Sequence, residues 1–86
     1  MNLKQGAQMS VKVMISDRDE ILGAIVRALA VQAGGFHMVG GMNSNYLRRN
    51  GFYRFPLSHD QSDKFRSLIK NYVPDRLQNL LQIADE

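Results

Sequence analysis

The sequence predicts an α+β fold, a two-layer sandwich with helices on one face of a small sheet, and three observations carry that expectation. Residues 11–15 alternate apolar and polar side chains, as a half-buried strand does. Two other stretches repeat apolar residues at i, i+3, i+4 spacing, the stripe of a helix with one buried side. Between them lies NSNYLRRNGFYRFPL, residues 43–57, centred on Asn50-Gly51. Asn-Gly among aromatic and basic residues is the strongest short-range hairpin pattern, because both positions tolerate the positive φ of a type I′ turn. Two one-sided helices need a sheet face to cover, which gives the layers.

Taken in order, Val11, Val13 and Ile15 form the buried side of a first strand, with Lys12 and Met14 opposite. Asp17 suits a helix N-cap, with Glu20 at the third position of a capping box. Ile21, Leu22, Ile25, Val26 and Leu29 make the stripe, and Gly34-Gly35 ends the helix. Phe36 to Val39 starts a second strand that bends at Gly40-Gly41 and continues through Tyr46 and Leu47 to Arg49. The chain turns at Asn50-Gly51 and returns through Phe52 to Leu57, Pro56 marking the strand's end. Ser58 and Gln61 form a second capping box ahead of the stripe Phe65, Leu68, Ile69, Tyr72 and Val73. Pro74 fits the first turn of a last helix carrying Leu77, Leu80, Leu81 and Ala84. The order is β-α-β-β-α-α, expected as one domain over residues 9–86 behind a flexible extension at 1–8.

A chain of 86 residues buries roughly 60–65% of its unfolded surface, enough for one modest core without a deep cleft. Cysteine is absent, which excludes a disulfide framework and thiolate metal sites. No apolar run has the ~18–20 residues of a membrane span, and the first ten residues lack a secretory apolar region, so a cytoplasmic protein is expected. The net charge of +3 is unevenly placed. Residues 43–70 hold six basic residues against Asp60 and Asp63, a local +4 that can attract a polyanion.

A two-residue loop would set Arg49 opposite Phe52 and Arg48 opposite Tyr53, sorting side chains onto two faces. One face carries Tyr46, Arg48, Tyr53, Phe55 and Leu57, to be covered by the helices with Arg48 escaping at the rim. The other carries Asn45, Leu47, Arg49, Phe52 and Arg54, with Lys12 joining from the first strand. An aromatic between basic residues on an exposed sheet face is a platform for a single strand, where bases stack and cations meet phosphates. Arg49, Phe52 and Arg54 are the expected contact residues, with Arg48, Lys64, Arg66 and Lys70 as electrostatic support. The plainer alternative packs Phe52 on Leu47 and leaves the arginines to keep the face soluble.

The segment Asn50 to Phe55 is similar in two positions, Gly51 and Phe52, to the signature strand of the RNA-recognition-motif family. It departs at Tyr53, where that family has a small residue, and at Arg54, in place of the second aromatic. Lys12 stands where the first strand would offer an aromatic, and a Leu-rich helix takes the place of the final strand. The chain is therefore not assigned to that family.

No catalytic or metal constellation stands out. His37 and His59 have no companion at ligand spacing, and the acidic residues beside His59 suit the opening turn of a helix. The serines lie outside any nucleophile elbow, and the glycine pairs lack a phosphate loop's setting. A non-enzymatic nucleic-acid (RNA or DNA) binder without cofactors is the leading expectation. The alternative is a protein-binding regulator or inhibitor, of the compact kind often encoded by mobile elements, docking through the hairpin or the terminal leucine helix. Leu77, Leu80 and Leu81 on that helix would close the core, form a homodimer seam or enter a partner's groove.

Overall fold

The computed structural model describes residues 10–36 and 43–86. Along them run β1 (Val11–Ile15), a short 3-10 turn (Ser16–Arg18), α1 (Glu20–Gly34), α2 (Ser44–Asn50), β2 (Phe52–Phe55), α3 (His59–Tyr72), α4 (Asp75–Gln78) and β3 (Leu81–Asp85). The fold is α+β, with an antiparallel sheet in the order β2-β1-β3. The sheet register pairs Val11 with Phe55 and Asp85, and Val13 with Tyr53 and Ile83. These residues share one face with Ile15, and that face lies under α1 and α3. The core joins Val11, Val13, Tyr53 and Phe55 to Leu22, Val26, Leu29, Phe65 and Ile69. Among the described residues no helix is long and apolar enough to cross a membrane.

The helix boundaries follow local chemistry. At Gly34-Gly35 α1 ends as expected: Gly35 takes a left-handed φ of 66° and donates its N–H to Val31 at 2.8 Å. The Ser58–Gln61 capping box is present, with Ser58 N–H donating to Gln61 Oε1 at 2.9 Å and Gln61 N–H donating to Ser58 Oγ at 3.3 Å. The cap of α1 is Asp19, whose carboxylate accepts from Leu22 N–H at 2.9 Å, two residues beyond the expected Asp17. Asp17 and Arg18 instead take positive φ in the turn that leaves β1. The exposed ends of the two stripes, Ile21 and Tyr72, fall outside the core.

The expected Asn50-Gly51 hairpin is replaced by a helix-to-strand junction. Residues 44–50 form α2, capped by Asn43, whose side-chain oxygen accepts from Tyr46 N–H at 2.9 Å. Gly51 at φ 80° closes α2 by donating its N–H to Leu47 at 2.8 Å, and its carbonyl accepts from Ile15 N–H at 3.1 Å. Asn50 stays helical and sends its side-chain amide back to the Tyr46 carbonyl at 2.9 Å. A type I′ turn needs two residues at positive φ, whereas a helix C-cap needs one, so the same dipeptide serves either. The expected facing pairs of Arg49 with Phe52 and Arg48 with Tyr53 therefore do not exist, and Leu47, placed on the open face, is wholly buried. Phe36 lies in no strand; the rest of that expected segment, with Gly40-Gly41, and residues 1–9 lie outside the described residues.

The last expected helix is divided between one helical turn and a strand. Pro74 opens a short helix, its carbonyl accepting from Leu77 and Gln78, but α4 stops after four residues. Gln78 then turns its amide onto the α3 carbonyls, reaching Val73 O at 2.9 Å. From Leu81 the chain pairs with β1 as β3. Leu77, Leu80 and Leu81 are half-buried against the core, so the expected leucine helix for a dimer seam or partner groove is absent as an element.

Candidate functional site on the open sheet face

Alternation along three paired strands assembles the second face of the sheet from Lys12 and Met14 on β1, Phe52 and Arg54 on β2, and Gln82 and Ala84 on β3. Among the described residues no helix covers it, and Met14 is 45% exposed. Lys12 and Arg54 are direct partners across the ladder, as are Met14 and Phe52. The Lys12 ammonium lies 4.5 Å from the centre of the Phe52 ring, and the Arg54 guanidinium carbon 5.2 Å from it. Both distances are within cation–π range, so both cations lean on one aromatic. Tyr46, reaching over from α2, meets the same ring edge-on at 5.9 Å.

Of the residues expected at the site, Lys12, Phe52 and Arg54 are thus brought together, although by β1 and β2 and not by a hairpin. Arg49 is exposed in the last turn of α2, just before Gly51. Arg48 bonds Glu20 at 2.5 Å and also Asn45, on the α1 side of α2. Lys64, Arg66 and Lys70 all lie on α3, in the layer behind the sheet. Arg66 is engaged there by Asp85 at 3.0 Å. Sequence reasoning missed Arg18. Its guanidinium lies beside Gly51, where a Cβ would meet Nε at 3.3 Å. The signal for it was faint: a basic residue three positions past a strand, in a turn read as a helix cap.

The electrostatics of the open face are shaped by Glu86. Its carboxylate accepts from Arg54 Nε at 2.5 Å and Nη2 at 3.4 Å. The hydrogen bond from Arg54 holds the Glu86 carboxyl below its usual range, while the same bond and the carboxylate charge raise Arg54. On the neighbouring residue, hydrogen bonds from the Ser62 hydroxyl and Arg66 lower Asp85. Tyr53, behind the sheet, is pushed up by burial, with Arg27 pulling the other way, and its hydroxyl donates to the Asn43 carbonyl at 2.8 Å.

Lowered carboxylates stabilise the fold above their unfolded pKa, and that contribution is lost as pH falls through the folded value. Melting curves of the native chain should hold steady down to about the ordinary Glu value of 4.5 and then decline toward lower pH. The double variant Asp85→Asn, Glu86→Gln should decline less steeply there. Identical acid limbs for the two proteins would show that these pairs contribute nothing. Because both groups are exposed, the difference should be small.

A cavity of about 110 Å³ lies near the start of α3, lined by Ser10, Leu57, Ser58, His59, Ser62, Asp85 and Glu86. It is well below the roughly 300 Å³ at which small-molecule pockets begin. His59 lines it, and the Ser62 hydroxyl there donates to Asp85 at 2.8 Å. Among the described residues no group of three or more acidic or histidine side chains is arranged to hold a metal ion. Compared with protein-family models, with curated proteins and with solved structures, the chain finds no match.

Proposed function

We propose that this chain is a small non-enzymatic binding protein that takes single-stranded nucleic acid on the open sheet face. The observation that carries the reading is the convergence of Lys12 and Arg54, from adjacent strands, on the single Phe52 ring. A base added to that cluster stacks on the aromatic or on the guanidinium plane, and the cations meet phosphate oxygens. Duplex bases are already stacked on one another, so a flat sheet face with an aromatic favours a single strand. Arg49, exposed in the last turn of α2, and Arg18, beside Gly51, add positive charge near the start of β2. Met14, exposed next to Phe52, adds polarizable apolar surface for a base edge.

The test is fluorescence anisotropy with labelled mixed-sequence oligonucleotides, single- and double-stranded, across a salt series. Affinity for the single strand should exceed that for the duplex and fall steeply as salt rises. Phe52→Ala should weaken it by about 1–3 kcal/mol, the worth of one stacked base. A modest fall in melting temperature should follow from the lost contacts to Tyr46, Lys12 and Arg54, with a chain that stays folded at the assay temperature. Lys12→Ala and Arg54→Ala should each flatten the salt dependence. No binding at low salt would overturn the proposal and move attention to a protein partner.

A further inference from the structure

The β1–β2 register sets two cations directly opposite each other, Lys12 and Arg54. Like charges so placed repel across the ladder, and the pair calls for an anion. Glu86 supplies it from within the chain. Its backbone continues the β1–β3 ladder, donating its N–H to the Ser10 carbonyl at 2.8 Å. Alternation through Gln82 and Ala84 then puts its side chain on the open face. From there the carboxylate crosses β1 and engages the Arg54 fork with both oxygens. Lys12 adds its attraction to the same carboxylate. A guanidinium fork backed by an ammonium is also the arrangement in which proteins hold a phosphate group.

We propose that Lys12 and Arg54 form the seat for a backbone phosphodiester of the strand whose base stacks at Phe52, and that Glu86 is an internal competitor occupying this seat until the strand displaces it. This deepens the nucleic-acid reading and rests on it. Exchange is cheap because the Arg54–Glu86 pair is at the surface, with side chains 49% and 35% exposed, where an ion pair adds little stability. The seat adjoins the ring that both cations flank, so base and phosphate are met on neighbouring strands. Displacement leaves Glu86 negative beside the incoming strand, so the native chain gives up one ion pair and gains a repulsion. The carboxylate thereby lowers the affinity of an anion for the seat by the worth of one exposed ion pair.

Glu86→Gln keeps the size of the side chain and removes the competitor. With a fluorescein-labelled oligodeoxythymidine as probe, this variant should bind about 2- to 5-fold tighter than the native chain, the span of one exposed ion pair. Its plot of log affinity against log salt should be steeper by up to about 0.7, the single-strand weight of one charge, because no displaced carboxylate is left to take up a counterion. In an Arg54→Ala background the gain from Glu86→Gln should largely vanish. Asp75→Asn, an equal charge change on α4, should leave affinity nearly unchanged. Native binding with no gain in Glu86→Gln or Glu86→Ala, both confirmed as folded by melting curves, overturns the competitor and leaves the nucleic-acid reading standing. An equal gain in Asp75→Asn also overturns it, as an effect of net charge. Absence of binding by every variant at low salt overturns the seat and the reading together.

Discussion

Phe55→Ala is expected to lower the free energy of unfolding by about 3–5 kcal/mol, the largest single effect among the substitutions considered. Phe55 is completely buried and holds the aromatic centre of the core together. Its ring lies 5.6 Å from Tyr53, 6.0 Å from Phe65 and 6.5 Å from Phe36, centre to centre. It thereby joins the sheet to α3 and to the segment after α1. Truncation removes apolar area and leaves a cavity that three rigid rings refill poorly. A domain of this size has roughly 4–13 kcal/mol in total, so the loss is a large share of it. Urea denaturation followed by circular dichroism should show a much lower midpoint, or a chain already partly unfolded in water. A loss under about 1 kcal/mol, the typical cost of an ordinary substitution, would contradict the central place given to Phe55.

Leu47→Ala is the second large expectation, at about 2–5 kcal/mol. It also decides between the two readings of residues 43–57. On a hairpin Leu47 would sit on the open face beside Phe52, and its removal would change stability by no more than about 0.5 kcal/mol. In the structure it is fully buried from α2 and packs so closely on α1 that a Cβ at Gly23 would meet its Cδ2 at 2.7 Å. The tight approach explains a glycine within α1, where it otherwise costs stability. Leu47→Met, which conserves volume, should cost less than about 1.5 kcal/mol. A near-neutral Leu47→Ala would mean that α2 does not pack as described.

What was legible in the sequence follows a physical line. Features set within a few residues were readable: the alternation of β1, the αL glycine after α1, the reciprocal Ser58–Gln61 cap, and the stripe centred on Phe65 and Ile69. The alternation of Phe52 to Leu57 also placed Tyr53, Phe55 and Leu57 correctly toward the core. The errors fall where one local pattern fits two structures. Asn50-Gly51 ends a helix or turns a hairpin by the same left-handed preference. Asn43, three residues before Tyr46, was the overlooked sign of a helix start. A seven-residue helix is also too short to stand alone, so its existence depends on Leu47 finding the core. Leu80 to Ala84 has spacing that serves a helix or a strand, and only the unfilled edge of β1 selects the strand.

The candidate site divides in the same way. That Phe52 and Arg54 share a face with each other, and that Lys12 lies on the unburied side of its own strand, follows from period-2 alternation alone. The sequence by itself determined the α+β class, the two long helices and the aromatic–basic character of the segment after Gly51. The tertiary structure alone decided that Lys12 stands opposite Arg54, that Glu86 crosses β1 to reach it, and that Lys64, Arg66 and Lys70 fall in the layer behind. The reason is the range of the forces involved. Backbone propensity and capping act over three or four residues, whereas strand partners are chosen by burial and by the pairing of every ladder N–H and C=O.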